Sequence, residues 1–162
     1  MTIDANYFHE HLRRHPGIIR LAVEFEQLTP ENHPDQVGRV SLKEEMIVEI
    51  SSLIHRHHIP FILLAHSPGH GLKAVMLHLL AENGNVDHLD LVEIVAKGTE
   101  AGQPGANLKW QVIRAYRNLH IRFPDEPQIA ISAANILSIL SDGADAALLA
   151  GIASMKEKLG IA

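Results

Sequence analysis

Apolar residues recur along this chain at intervals of three and four, the period of an α-helix with one buried face. Toward the C-terminal end, Leu148, Ile152, Met155 and Leu159 share a face of a helix expected over 144–159, with Asp142 placed to cap it and Gly160 to end it. Pro127 suits the first position of a helix, and Ile129, Ala133, Ile136, Leu137 and Leu140 line one side after it. Gly143 leaves a tight turn between the two, so they are expected to pack as a hairpin. Leu108, Val112, Ala115, Tyr116 and Leu119 make a stripe over 107–121, punctuated by Pro104 and Gly105 before it and Pro124 after it. Ser41 and Glu44 have the spacing of a capping box, and Met46, Ile50, Leu53 and Ile54 carry an apolar face from there to His58. Val75, Leu79 and Leu80 point to a helix over 71–83. Leu91, Val92 and Val95 point to another over 88–97, with Gly84 and Asn85 turning between them.

Residues 18–26 fit two patterns. Ile19, Leu21, Val23 and Phe25 alternate with Arg20, Ala22, Glu24 and Glu26 as in a strand, whereas Ile18, Ala22, Phe25 and Leu28 suit a helix starting at Pro16. The helix is favoured because the only other strand candidate is the short run 61–66. Residues 29–39, with two prolines and mixed polar side chains, read as a loop. The expectation is one all-α domain over 1–162, a compact multi-helix arrangement or a short helical-hairpin array. The alternative is an α/β fold with strands near 18–26 and 61–66.

Composition narrows the chemistry. The 162 residues suffice for a core without disulfide or metal, and aromatic residues are only 4%, so that core must be aliphatic. The absence of cysteine excludes thiol redox chemistry and thiolate metal sites. A formal charge of −5 argues against a dedicated nucleic-acid binder. Met1 to Leu12 lacks the pattern of a signal peptide and the longest apolar run, interrupted by Pro60, is too short to span a bilayer. A cytoplasmic location is therefore the default, and no membrane partner is expected.

Two segments carry a family resemblance. Leu77-His78-Leu79-Leu80-Ala81-Glu82-Asn83-Gly84-Asn85 resembles the centre of an ankyrin-type repeat, keeping the spacing from histidine to glycine, and Ile136 to Asp145 resembles the end of one. The resemblance implies a helical array that binds protein rather than a catalyst, with His78 hydrogen-bonding turn backbone and Gly84 in a left-handed conformation. Val75-Met76 stands where the family has Thr-Pro. The glycines at 98 and 143 lie further apart than the family's period of about 33 residues.

Three constellations carry candidate chemistry. The chain has 12 histidines, and His55, His57, His58, His66, His70 and His78 crowd one stretch. His55 and His58 fall on one helix face, and His66 and His70 flank a turn; together they are a candidate ligand set for zinc or another transition metal. His11 and His15 are a second helical pair. A metalloenzyme would follow from such a set, but no H-E-x-x-H or di-iron carboxylate pattern is present, and no cofactor is expected on the main reading. The plain alternative is a set of exposed polar residues. Second, Ser67-Pro68-Gly69-His70-Gly71-Leu72-Lys73 precedes a helix, where backbone N–H groups can hold an anion, although it matches neither a phosphate-binding loop nor a nucleophile elbow.

Third, the helix around 109–122 carries Lys109, Arg114, Arg117 and Arg122 with no acid. Opposite its core stripe lie Trp110, Ile113, Arg114, Arg117 and Ile121. Tryptophan and arginine dominate binding hot spots, and this is the only tryptophan. Trp110, Arg114, Arg117 and Ile121 are the candidate partner-binding residues, for a protein partner or a second copy. Glu82, Asp87, Asp90, Glu93 and Glu100 offer a complementary acidic surface within one molecule or between two. The plain alternative is a central helix with both faces buried. Whether the protein is an enzyme is left open by these patterns.

Overall fold

Aliphatic side chains at helical spacing produce a succession of helices, and no strand occurs among the described residues. The computed structural model describes residues 10–67, 69–98 and 106–161. In chain order the helices are α1 (Pro16–Glu26), α2 (Gln36–Arg56), α3 (Phe61–Ala65), α4 (His70–Asn83), a 3-10 turn (Val86–His88), α5 (Leu89–Lys97), α6 (Ala106–Arg122), α7 (Pro127–Leu140) and α8 (Ala146–Leu159). The fold is all-α. The chain divides into two compact units, Met1–Met76 and Leu77–Ala162, with the boundary inside α4.

The α/β alternative is overturned at both segments. In α1, Ile18, Leu21, Ala22 and Phe25 are buried while Val23 is 45% exposed. A strand would have turned Val23 to the same side as Leu21 and Phe25; the helical period leaves it outside. Pro16 starts α1 with its ring-fixed φ and its missing donor, both suited to a helix start. Residues 61–65 form the short helix α3, entered through Pro60, whose carbonyl accepts from Leu63 N–H at 3.1 Å.

In the first unit, α2 begins at Gln36, so the boundary expected at Ser41 lies five residues too late. Asp35 is the N-cap, and Ser41 sits inside the helix with its capping-box role unused. The end of α2 is better legible as geometry than as sequence. His58 adopts φ 51°, and the following N–H groups close a C-terminal cap: Ile59 N–H to the Ile54 carbonyl at 3.1 Å and His58 N–H to the His55 carbonyl at 3.3 Å. Gly160 closes α8 with the same pair of bonds at φ 68°, the residue type that left-handed backbone favours. A histidine in that role costs about 1 kcal/mol relative to glycine.

In the second unit, α5 packs on α6 and α7, and α8 packs on α6 and α7. The side chains expected to line α6 (Leu108, Val112, Ala115, Tyr116, Leu119) and α7 (Ile129, Ala133, Ile136, Leu137, Leu140) are all buried. The cap of α8 is Asp145, whose Oδ1 accepts from Leu148 N–H at 2.8 Å, rather than Asp142. The punctuating Pro104 and Gly105 lie outside the described residues, as do Pro68 and Glu100.

Candidate functional site

Trp110, Arg114, Arg117 and Ile121 stand at i, i+4, i+7 and i+11 on α6, spacing that keeps all of them within one narrow strip. Trp110 is 42% exposed and Ile121 is 68% exposed. Arg117 is exposed and Arg114 half-buried. Ile113, expected on this side, is instead buried. It lies roughly 60° around the helix from Trp110, toward the core. Lys109, one of the four basic residues of this helix, is buried, and its Nζ donates to the Asp142 carbonyl at 3.1 Å.

The core side of α6 fixes where this strip points. Tyr116 and Ser132 share a hydrogen bond of 2.8 Å between hydroxyls, and Ser132 Oγ donates to Glu93 Oε1 at 2.9 Å. A serine has one proton to give, so Tyr116 is the donor to Ser132. Burial pushes the Tyr116 hydroxyl far above the usual phenol range, which keeps it protonated for that role. At the end of α6, the Arg122 guanidinium donates to the carbonyls of Gly84 at 2.7 Å, Leu80 at 2.9 Å and Ala81 at 3.3 Å. Leu80 and Ala81 lie in the last turn of α4 and Gly84 just past it, so the guanidinium closes over the C-terminal end of that helix, where the Leu80 carbonyl also accepts from Gly84 N–H at 2.8 Å.

Within the strip, the Trp110 ring lies against Gly151 of α8. A Cβ there would come within 2.7 Å of Trp110 Cη2 and Cζ3, so the glycine leaves the room that this edge of the indole occupies. Arg114 Nη2 donates to Glu82 Oε1 at 2.9 Å, and Arg114 Nη1 meets His78 Nδ1 at 3.0 Å. Arginine has no lone pair to offer, so His78 Nδ1 is the acceptor and its proton sits on Nε2. The histidine of the repeat-like segment thus faces Arg114. Left-handed glycine backbone occurs at Gly143 and Gly160. Of the acidic stretch, Glu82 is engaged by Arg114 and Glu93 by Ser132, while Asp87 and Asp90 remain exposed.

The candidate metal ligands are dispersed. His55, His58 and His66 are exposed, His70 is half-buried, and among the described residues no three histidines or carboxylates converge to hold an ion. His15 stacks on His57 with ring centroids 4.4 Å apart. At the start of α4, the place an anion would occupy is filled by the protein's own carboxylate: Glu26 Oε1 accepts from Gly71 N–H at 2.9 Å. His70 lies by the Phe25 ring, 6.4 Å between centroids, with Lys43 Nζ 5.5 Å from the centre of that same ring.

Three of these histidines resist protonation. Burial lowers His15, with help from His57, His11 and Arg14. Burial lowers His70, opposed by Glu26 and reinforced by Lys43 and Lys73. Burial also lowers His78, reinforced by Arg114 and opposed by Glu82. The unfolded chain then binds more protons than the folded one once the pH drops below about 6.5. Stability is therefore greatest above that value and falls on acidification. Thermal melts should show a lower Tm at pH 5.5 than at pH 7.5, with the difference reduced when His70 is replaced by glutamine; a flat Tm profile would contradict these environments.

Comparison with protein-family models, with curated proteins and with solved structures finds no match. The class of protein rests on the fold itself: all-α, and among the described residues no helix is long and apolar enough to cross a membrane. Sequence spacing finds the strip but not the long-range contacts within either unit. Glu26 and Gly71 are 45 residues apart, Ser132 and Glu93 are 39 apart, and Lys109 and Asp142 are 33 apart, so no local pattern joins them.

Proposed function

We propose that this chain is a protein-interaction module, binding another protein or a second copy of itself through the Trp110, Arg114, Arg117 and Ile121 strip of α6. The observation that carries the reading is the exposure of the lone tryptophan on the same strip as an exposed isoleucine and an arginine. Apolar anchors flanked by guanidinium groups suit a partner that presents apolar side chains among carboxylates. The resemblance of 77–85 and 136–145 to ankyrin-type repeats, a protein-binding family, points the same way. So does the anchoring of the opposite side of α6, which leaves this strip preorganised at little entropic cost to binding.

Replacing Trp110 and Arg117 together by alanine is expected to leave far-UV helicity intact, because neither side chain is part of the core, and to abolish association in light scattering and in pull-downs with the purified partner. A loss of tenfold or more is about what truncating a hot-spot tryptophan produces. Association unchanged in the double variant would remove the strip as the binding surface.

A further inference from the structure

His78, Glu82 and Arg114 form a three-member arrangement in which one member, His78, gains a charge on acidification, at a pH that burial and Arg114 hold below the ordinary histidine value. Arg114 from α6 and Glu82 from α4 are the charged groups facing His78. The 3.0 Å approach of Arg114 Nη1 to His78 Nδ1 exists only while that nitrogen carries no proton. Once protonated at Nδ1, the ring has lost its lone pair there and sets a positive charge against a guanidinium. It also becomes a donor in need of an acceptor. Glu82, four residues along the same helix, is within side-chain reach of residue 78. The bridge it now makes to Arg114 is half open to water, 32% on the arginine side and 51% on the glutamate side, so it resists exchange only weakly.

We infer that His78 is a proton-operated latch on the binding strip: neutral, it holds Arg114 against α4; protonated, it takes Glu82 for itself and frees the Arg114 guanidinium for a partner's carboxylate. This regulation rests on the reading of the α6 strip as a binding surface. Arg114 lies one turn from Trp110 and less than one turn from Arg117, so its release adds a second available guanidinium to the strip. Acidification would then strengthen binding to a carboxylate-bearing partner by up to about fivefold, the scale of one exposed ion pair. The direction distinguishes the latch from ordinary titration, because protonation of a partner's carboxylates would weaken binding instead.

The test follows the Arg114 side chain by NMR in the free protein, with its Nε–H signal assigned by its loss in Arg114→Lys. On titration downward from pH 7.5 that signal should move with the same midpoint as the His78 ring signals, while far-UV circular dichroism stays constant. In His78→Asn, whose Oδ1 occupies the place of Nδ1 and accepts at every pH, the Arg114 signal should stay at its high-pH position. An Arg114 signal that ignores the His78 titration in the wild type overturns the latch whatever the strip binds. If Arg114 follows His78 but the Trp110 and Arg117 double variant associates normally, the latch stands as an intramolecular exchange and the binding reading alone falls.

Discussion

Gly71→Ala should destabilise the protein by about 1–3 kcal/mol, the cost of forcing an extra carbon into a packed junction. The sign is the informative part. Replacing an unstrained glycine in a helix by alanine ordinarily gains about 0.5–1 kcal/mol. Here a Cβ would come within 2.9 Å of the Ala22 carbonyl oxygen and 3.2 Å of Glu26 Cγ. The first of these is backbone of α1 and cannot swing aside. The same approach lets Glu26 reach across to the Gly71 N–H, which would otherwise be an unpartnered donor at the start of α4. At Gly69 a Cβ would meet only the Glu26 carboxylate, which can swing aside, though at the expense of its bond to Gly71 N–H. Urea unfolding gives the comparison directly: a lower midpoint in Gly71→Ala with helicity retained supports the junction, and a midpoint equal to or above wild type contradicts it.

Ser132→Ala should cost about 1–3 kcal/mol, and more than Tyr116→Phe, although the tyrosine is by far the larger side chain. Tyr116 is 0% exposed and Ser132 is 6% exposed, so neither hydroxyl has water to fall back on. Deleting the serine hydroxyl strands the Tyr116 O–H with no acceptor and removes the donor that satisfies Glu93. Deleting the tyrosine hydroxyl leaves Ser132 still donating to Glu93, and nothing buried is left unpaired. The double variant should be less destabilised than the sum of the two singles, because the second deletion removes the group that the first had orphaned. Urea midpoints for the three variants decide it; equal losses for the two singles, adding without interaction, would mean that the relay does not hold α6 to α5 and α7.

These two sites also mark the limit of what the sequence discloses. The apolar faces of α6 and α7 follow from spacing alone, because each residue's burial is decided by its angle on its own helix. Over 18–26 spacing fits both helix and strand; the lack of a second convincing strand favours the helix, and the exposure of Val23 bears it out. Boundaries are less legible: α2 starts at Gln36 although Gly38 and two valines in 36–40 are weak helix formers, and the capping-box spacing of Ser41 and Glu44 recurs by chance in polar helix surfaces. Ile113, expected on the strip side of α6, is buried because it lies at the margin between strip and core, where the packing of α5, α7 and α8, not periodicity, draws the line. The closeness of His55, His58, His66 and His70 in sequence does not by itself make a ligand set: among the described residues no three histidines or carboxylates converge to hold an ion. Glu26, Ser132 and Gly151 carried no local signal, since each acts on a residue from a distant helix.

The lone tryptophan makes the central claim directly measurable, because all indole fluorescence comes from Trp110. Acrylamide quenching of that fluorescence should be efficient in the free protein and should fall several-fold in the associated state, as the partner covers the strip. Quenching that stays equally efficient while association is demonstrably complete would place the interface elsewhere.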